Sequence, residues 1–430
     1  MFRQKIKTLL VCEQCNPTFS SVPLEGYQVF EHLSKLVDLT LVTHERNKDA
    51  LEKIRNNRDI VYIEESKTIK QYYKLAAKLS TFKNRTIWPI HHTLTYPVYE
   101  EFNNIVYNQF KQPILQGEYN LVHFFTPMMP RYPLKLIRVC QNTPVVIGPV
   151  NGGVPYPKGL QEVAKQEFSD FNFLRSVGRF IIPGYRETYE KANYIFAGST
   201  YTLNLVKELF NIEDERLELL YENGLTESFF KYPESKEEAK DQEGEKRTIK
   251  LLFVGRLVPY KGADMVIEAI GNLKQLVQEK ILLTIVGDGS ERQKLEEQIR
   301  QLNLESKVLF SGWVPQEQTV DYYRNADIFC FPSVREFGGA VVLEAFANGL
   351  PAIVVNNGGI GEYVTEETGF KIEPNSREFI VTKLKENIET LVENPSLREA
   401  MSVNAVKRAQ EFTWTAKAQR MVEVYEQLLK

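Results

Sequence analysis

Two glutamates eight positions apart, on either side of a glycine pair, are the residues whose chemistry is easiest to interpret. They lie in the run Glu-Phe-Gly-Gly-Ala-Val-Val-Leu-Glu, residues 336–344. Glycines ahead of a helix let its first N–H groups approach a ligand closely, and a helix N-terminus favours a phosphate. Glu344 has apolar neighbours on every side of the helix, so its carboxylate needs hydrogen-bond donors, and ribose hydroxyls are suitable. A glutamate on a solvated helix face is the alternative.

Arg256 and Lys261 supply the opposite charge. Arg256 follows a predicted strand, and Lys261 lies five residues later beside Gly262, which opens the next helix. Two cations at a strand end and a helix start suit a diphosphate, whose charge grows as a sugar leaves it. Ordinary surface charge is the alternative for either cation taken alone.

Short apolar runs alternate with helix-length segments along almost the whole chain. The predicted strands are 5–13, 38–44, 59–63, 121–126, 144–150, 193–199, 217–221, 249–255, 281–287, 307–312, 327–333, 351–356 and 369–372. Fully apolar strands that alternate with helices indicate a parallel sheet covered on both faces, and the two sets predict two doubly wound, Rossmann-like domains of α/β class. Five strand ends of the second set carry glycine or small polar residues, which suggests a ligand cleft at their carboxyl ends.

The predicted domain boundary is a charged segment, residues 233–247, whose only apolar residue is one alanine. Such a composition is typical of a solvated connector. It separates a first domain, 1–232, from a second domain, 248–412. Residues 413–430 form an amphipathic helix that either domain could hold.

Composition excludes several classes of protein. The 430 residues are 43% hydrophobic and 25% charged, an ordinary globular balance, and the formal net charge of −3 favours no nucleic-acid partner. Four cysteines without dense spacing suit a reduced cytosol, and Cys12-x-x-Cys15 lacks the second pair that a zinc site needs. No apolar run approaches the roughly 18 residues of a membrane span. The sequence therefore predicts a cytoplasmic protein.

The order of the motifs resembles the retaining glycosyltransferases of family four, which have the GT-B fold. The motifs are Gly-Arg-Leu…Lys-Gly at 255–262, Val-Gly-Asp-Gly at 286–289, Phe-Ser-Gly-Trp-Val at 310–314, Ala-Asp-Ile-Phe-Cys-Phe-Pro-Ser at 326–333, and the glutamate pair. The likeness covers 249–372 and is looser in the first half, through 121–123, 148–153 and 223–224. It implies two domains facing across a cleft, with the final helix, 413–430, crossing back to the first domain.

The resemblance also implies roles for single residues. Arg256 and Lys261 would hold the diphosphate of a nucleotide sugar, Glu336 would contact hydroxyls of the donor sugar, and Glu344 would contact the ribose. The base would meet the backbone near Val314. The other donor-side candidates are Gly255, Gly287, Phe337, Gly338, Gly339 and Ala340.

A histidine of the first domain is the remaining catalytic candidate. In relatives, a histidine in the region of His123 contacts the donor sugar or the reaction centre. Many relatives carry His-x-His, whereas here the second position is Phe125. A strand-end histidine bonded to backbone is the alternative. Candidates on the acceptor side are Asn16, Gly152 and Gly153.

The resemblance predicts transfer of a sugar from a nucleoside-diphosphate sugar to a hydroxyl of a glycan, lipid-linked or small-molecule acceptor. No carboxylate is a convincing covalent nucleophile, so we expect front-face transfer with retention. The chain has no Asp-x-Asp, so no metal and no cofactor is expected. Nucleotide-sugar epimerisation or hydrolysis, and a non-catalytic nucleotide-sugar-binding protein, remain alternatives. The base, the sugar and the acceptor stay open.

A basic segment, residues 67–85, adds a further expectation. It carries six basic residues and no acidic one, and Lys67, Lys70, Lys74 and Lys78 share one helical face. Such a helix can lie on an anionic membrane, which would make the cytoplasmic protein peripheral at the inner membrane face. A solvated helix face is the alternative.

Overall fold

The chain divides into two compact units. The computed structural model describes residues 5–54, 58–82, 85–167, 173, 177–178, 181–230 and 248–430, so the predicted connector, 233–247, lies outside the described residues. Unit 1 comprises Met1–Gly153, Phe168–Glu222 and Trp414–Lys430, and unit 2 comprises Val154–Glu167 and Asn223–Thr413.

Unit 1 is built on a parallel sheet. Its described strands are β1 (Lys7–Val11), β2 (Asp38–His44), β3 (Asp59–Ile63), β4 (Thr81–Phe82), β5 (Arg85–Thr86), β6 (Leu121–Phe124), β7 (Val145–Val150), β8 (Tyr194–Ala197) and β9 (Leu217–Leu219). Seven of them form a sheet in the order β3-β2-β1-β6-β7-β8-β9, with all neighbours parallel. The short strands β4 and β5 form a separate antiparallel pair.

Unit 2 contains a second parallel sheet. Its described strands are β10 (Ile249–Val254), β11 (Ile281–Val286), β12 (Val308–Gly312), β13 (Ile328–Phe331), β14 (Ala352–Val355) and β15 (Gly369–Ile372). They lie in the order β12-β11-β10-β13-β14-β15, again with all neighbours parallel. The prediction of two parallel α/β sheets is therefore confirmed.

Helices connect the strands in both units. The first eight described helices are α1 (Val22–Leu36), α2 (Lys48–Glu52), α3 (Lys67–Leu79), α4 (Trp88–Leu94), α5 (Tyr96–Leu115), α6 (Gln161–Gln166), α7 (Tyr185–Lys191) and α8 (Thr200–Phe210). The others are α9 (Ala263–Gly271), α10 (Gln275–Gln278), α11 (Arg292–Gln301), α12 (Gln316–Arg324), α13 (Ala340–Ala347), α14 (Gly359–Tyr363), α15 (Arg377–Glu393), α16 (Pro395–Gln410) and α17 (Trp414–Leu428). Short 3₁₀ turns lie at Glu45–Asn47, Lys135–Arg138, Lys158–Leu160, Asp214–Arg216, Glu227–Phe230 and Pro259–Lys261.

The core of unit 1 has two layers because successive strand residues point to opposite faces. On β1, Leu9 joins the cluster that contains Phe102 and Phe110 of α5, whereas Leu10 joins the cluster that contains Phe30 of α1 and Tyr425 of α17. All six are buried. The final helix thus packs on the first sheet, which confirms the prediction that it returns to the first domain.

The observed division of the chain differs from the predicted boundaries in two places. Residues 154–167, which include α6, follow β7 of the first sheet but belong to unit 2. Unit 2 then resumes at Asn223, before the predicted connector.

Among the described residues, no helix is long and apolar enough to cross a membrane.

Candidate functional site

The carboxyl ends of three neighbouring strands of unit 2 meet through glycines. The Gly255 N–H donates to the Val286 carbonyl (2.9 Å), and the Gly287 N–H donates to the Gly312 carbonyl (2.8 Å). Gly287 has a φ of 136°, and a Cβ there would lie 1.9 Å from the Gly255 carbonyl oxygen, so only glycine fits. Val314 is half-buried and follows Gly312 by two residues. These donor-side candidates therefore lie at the edge where parallel sheets bind ligands.

The two predicted cations follow β10 at the same edge. Arg256 is exposed, and its Nη2 donates to the Tyr260 hydroxyl (2.8 Å). Burial raises the pKa of Tyr260 to about 12, so the hydroxyl stays protonated and neutral beside the guanidinium. Lys261 ends the 3₁₀ turn Pro259–Lys261, and Gly262, with a φ of 75°, is the residue before the first residue of α9.

Lys261 and Glu336 form an ion pair, although 75 positions separate them in the chain. Their side chains are only 11% and 16% exposed. The Glu336 carboxylate also accepts a hydrogen bond from the buried Ser333 hydroxyl (3.1 Å), and the Lys261 ammonium lies 5.0 Å from the centroid of the Phe331 ring. The structure thus brings together two of the four residues that the sequence analysis named as catalytic.

A glycine pair on the neighbouring strand end supports the Glu336 turn. Glu336 and Gly358 form an isolated parallel bridge, and the Gly359 N–H donates to the carbonyls of Glu336 (3.2 Å) and Phe337 (3.1 Å). Gly358 has a φ of 80°, and a Cβ there would lie 1.8 Å from the Glu336 carbonyl oxygen. The end of this strand is one of the five predicted strand ends that carry glycine or small polar residues, but Gly358 and Gly359 were not among the predicted site residues. The doubled glycine after β14 was the available signal.

The glycine turn leads directly into α13. Gly338 is buried, and Gly339 adopts a φ of 79° as the residue before Ala340, the first residue of the helix. The predicted glycine-to-helix turn is therefore present, and the N–H groups of the first turn of α13 follow Glu336 and Phe337 along the chain. In the part of the chain that the structure describes, no group of three His, Cys, Asp or Glu side chains could hold a metal ion.

Glu344 is buried in α13, with 4% of the residue exposed, as its apolar neighbours suggested. Its donors come from the protein: Gln316 Nε2 (2.7 Å) and the Tyr323 hydroxyl (2.8 Å), both on α12. Burial raises the pKa of Glu344, and these two hydrogen bonds oppose that shift. The sequence analysis missed Gln316 and Tyr323, because nothing in a single sequence pairs residues 21 or 28 positions apart.

His123 belongs to the core of unit 1. It is fully buried on β6, its Nε2 donates to the Gly148 carbonyl (2.7 Å), and its Nδ1 accepts from the Tyr425 hydroxyl of α17. Burial lowers the pKa of His123 to about 4, so the ring is neutral. The expectation that His123 contacts a donor sugar does not fit these contacts, because both ring nitrogens are already bonded within unit 1. The bond to the Gly148 carbonyl matches the alternative, a strand-end histidine bonded to backbone.

The acceptor-side candidates occupy two turns of unit 1. Asn16 is buried, and its Oδ1 accepts from the N–H (2.9 Å) and the hydroxyl (2.8 Å) of Thr18, so its side chain shapes its own turn. Gly152 and Gly153 follow β7 with φ values of 143° and 84°. The Gly152 N–H donates to Asn151 Oδ1 (2.9 Å), which fixes the start of that turn.

Comparison with solved structures identifies the fold class. The chain matches the crystal structure of HepE from Anabaena, solved in complex with UDP, with a TM-score of 0.63 at 17% identity. The match covers 98% of this chain and all of that one. The protein therefore has the GT-B fold of glycosyltransferases, as the motif order implied.

Sequence comparison finds glycosyltransferases that resemble part of the chain. Residues 235–408 match the model of glycosyl transferases group 1. An uncharacterized glycosyltransferase of Methanocaldococcus jannaschii is 31% identical over 56% of this chain and 61% of its own length. The D-inositol 3-phosphate glycosyltransferase of Kineococcus radiotolerans is 32% identical over 41% of this chain and 43% of its own length. These matches span less than two thirds of the relatives' length.

Proposed function

We propose that the protein is a retaining glycosyltransferase that moves a hexose from a nucleoside-diphosphate sugar to an acceptor hydroxyl. The observation that carries the proposal is the Lys261–Glu336 ion pair with Ser333, formed at the carboxyl edge of the unit 2 sheet. A nearly buried ion pair is a poor source of stability but a suitable ligand site, because it offers a cation and an acceptor together. The family match of residues 235–408 and the UDP bound to HepE support a nucleotide-sugar donor.

In this proposal the donor is bound in parts. Arg256 and Lys261 neutralise the diphosphate, and the N–H groups that open α13, from Gly339 onward, add hydrogen bonds to it. Glu336, which already accepts from Ser333, accepts from the hydroxyls of the donor sugar. Glu344 accepts from the ribose through the lone pairs that Gln316 and Tyr323 leave unused.

The proposed chemistry is a front-face transfer. The bond from the anomeric carbon to the phosphate oxygen breaks, and the bond to the acceptor oxygen forms on the same face. The acceptor proton passes to the leaving phosphate oxygen, while Arg256 and Lys261 stabilise the charge on the diphosphate. The burial of His123 supports this route, because that ring has no nitrogen left to act as a general base. The absence of Asp-x-Asp from the sequence supports metal-independent transfer.

The test is release of nucleoside diphosphate from a panel of nucleotide sugars, with and without simple glycosides and lipid-linked sugars as acceptors. We expect release that depends on an acceptor, persists with a chelator, and gives a product with the donor's anomeric configuration by NMR. Turnover without any acceptor would instead indicate a hydrolase or epimerase. Loss of transfer on chelation would contradict metal independence, and an inverted product would contradict retention.

The outward face of α3 supports a lipid-linked acceptor. Lys67, Lys74 and Lys78 are exposed there, next to Leu75 and Leu79, which are 54% and 64% exposed. We propose that this α3 face lies on an anionic membrane, because lysines can meet the lipid charge while the leucines enter the interface. Lys70, which was expected to share this face, pairs with Glu45 instead. Lys83 lies outside the described residues.

Vesicle flotation tests the α3 face. We expect the protein to float with phosphatidylglycerol vesicles at low salt and not with phosphatidylcholine vesicles. The double substitution Leu75→Ser and Leu79→Ser should abolish flotation. Leu276→Ser is the matched control, because Leu276 in unit 2 is 70% exposed and lies outside the α3 face. No flotation with either lipid would contradict membrane contact.

A further inference from the structure

Arg335 directly precedes the proposed sugar-binding carboxylate, Glu336, and contacts a segment from a distant part of the chain. Its Nε donates to the Val154 carbonyl (2.9 Å), 181 positions away in sequence. Its guanidinium lies 4.8 Å from the centroid of the Tyr156 ring and 5.1 Å from that of Phe337. All these residues belong to unit 2. Arg335 therefore joins residues 154–156 to the turn that carries Glu336.

A second contact fixes the same segment on the other side of the turn. Asn357 Nδ2 lies within hydrogen-bond distance of the Val334 carbonyl (2.7 Å) and the Pro155 carbonyl (3.2 Å). Three segments, 154–156, 334–337 and 356–359, are thus joined by hydrogen bonds, and the backbone of Glu336 lies in the middle one. The 356–359 segment supports the Glu336 turn through backbone bonds as well as through Asn357, whereas the 154–156 segment is held to the turn by the side chains of Arg335 and Asn357.

We propose that Arg335 is a positioning residue for donor-sugar recognition, a role that rests on the proposed function. By holding 154–156 against the turn, it keeps the Glu336 carboxylate where it can accept from the sugar hydroxyls. The planar guanidinium is essential, because it covers aromatic faces and donates through Nε in the same conformation, which an ammonium group does not do. This cluster also adjoins the turn after β10, because the Val334 N–H donates to the Tyr260 carbonyl (2.8 Å) and Lys261 pairs with Glu336. The nucleoside diphosphate should nevertheless depend on Arg335 less than the sugar does, because its proposed ligands also include Arg256 and the N–H groups that open α13.

The inference predicts a selective effect. Substitution of Arg335 should weaken binding of the intact nucleotide sugar by about tenfold, the value of one lost hydrogen bond to a charged group. Binding of the corresponding nucleoside diphosphate, which lacks the sugar, should weaken much less, because Arg256 and the N–H groups that open α13 still hold it. A merely structural role would weaken both ligands equally or lower the thermal midpoint, so the ratio of the two affinities separates the two roles.

The experiment is calorimetric titration of the full chain. UDP-glucose, GDP-mannose and ADP-glucose identify the donor that binds to the wild-type protein, and the matching nucleoside diphosphate is then compared with it. The variants are Arg335→Gln, Arg335→Lys and Tyr156→Leu. Arg300→Gln is the control, because Arg300 is exposed on α11 and lies outside the cluster.

We expect Arg335→Gln and Arg335→Lys to lose much more affinity for the nucleotide sugar than for the nucleoside diphosphate. Tyr156→Leu should show the same selectivity, and Arg300→Gln should match the wild type. Equal losses for both ligands, or no loss in either Arg335 variant, would overturn the inference while the proposed function stands. If no nucleotide or nucleotide sugar binds to the wild-type protein, the proposed function fails and this inference fails with it.

Discussion

Replacing His123 with glutamine should remove the contribution of this residue to the pH dependence of stability. It should keep the two hydrogen bonds that the histidine makes. The His123 ring donates to the Gly148 carbonyl and accepts from the Tyr425 hydroxyl. A glutamine amide can likewise donate through its nitrogen and accept through its oxygen, but it does not titrate. The variant therefore isolates the proton-binding property of the histidine from its role in packing.

The magnitude follows from the shift in pKa. Burial lowers the pKa of His123 from its ordinary 6.5 to about 4 in the folded chain. Between these values the unfolded chain binds a proton that the folded chain excludes, so the free energy of unfolding falls as the pH falls from 6.5 towards 4. The histidine therefore costs about 2 kcal/mol of stability between pH 7 and pH 4.5. Above pH 6.5 it costs almost nothing.

Urea unfolding at pH 7 and pH 4.5, followed by tryptophan fluorescence, measures this cost. The wild-type protein should lose about 2 kcal/mol more than His123→Gln over this interval, because every other titrating group is present in both proteins. The same variant should bind the nucleoside diphosphate proposed for unit 2 with the affinity of the wild-type protein. Equal losses of stability in the two proteins would refute the assignment of His123 as a buried, neutral core residue.

Two further substitutions test the architecture of unit 2. Tyr323→Phe removes one of the two donors to the buried Glu344 carboxylate, so it should lower the free energy of unfolding by about 1–3 kcal/mol in urea, whereas Tyr322→Phe, on a half-buried neighbour, should not. Gly358→Ala forces a Cβ against the Glu336 carbonyl oxygen at a φ of 80°, so it should cost about 1–3 kcal/mol for the backbone alone and also weaken donor binding. Gly312→Ala, with a φ of 73° and open space around its Cβ, should affect stability less; equal effects of the two alanines would contradict the account.

The strands of both large sheets were predictable from the sequence, for a physical reason. A parallel strand covered by helices on both faces is a continuous apolar run, as in Ile281–Val286, and such runs are visible without any partner. The burial of Glu344 was predictable in the same way. The short strands β4 and β5 were missed, because two-residue strands carry no periodic pattern.

Contacts between distant segments were not predictable. Residues 154–167 join unit 2 partly through backbone carbonyls, such as that of Val154, which leave no signature in side-chain types. His123 was assigned from its residue type and neighbouring motif, but its environment is set by Tyr425, 302 positions away. The same limit explains why the donors to Glu344 were missed. The residue type shows which bonds and charges a side chain is capable of. Its contacts in the folded chain decide which of these it makes, and the sequence alone does not reveal those contacts.

The central claim is that unit 2 binds a nucleoside diphosphate through Arg256 and Lys261 and its ribose through Glu344. Calorimetric titration of the purified chain with UDP, GDP and ADP tests it most directly. We predict micromolar binding of one of the three, weakened about tenfold or more in each of Arg256→Ala and Glu344→Ala. Binding of none of the three nucleotides, or equal binding to the wild-type protein and both variants, would contradict the claim.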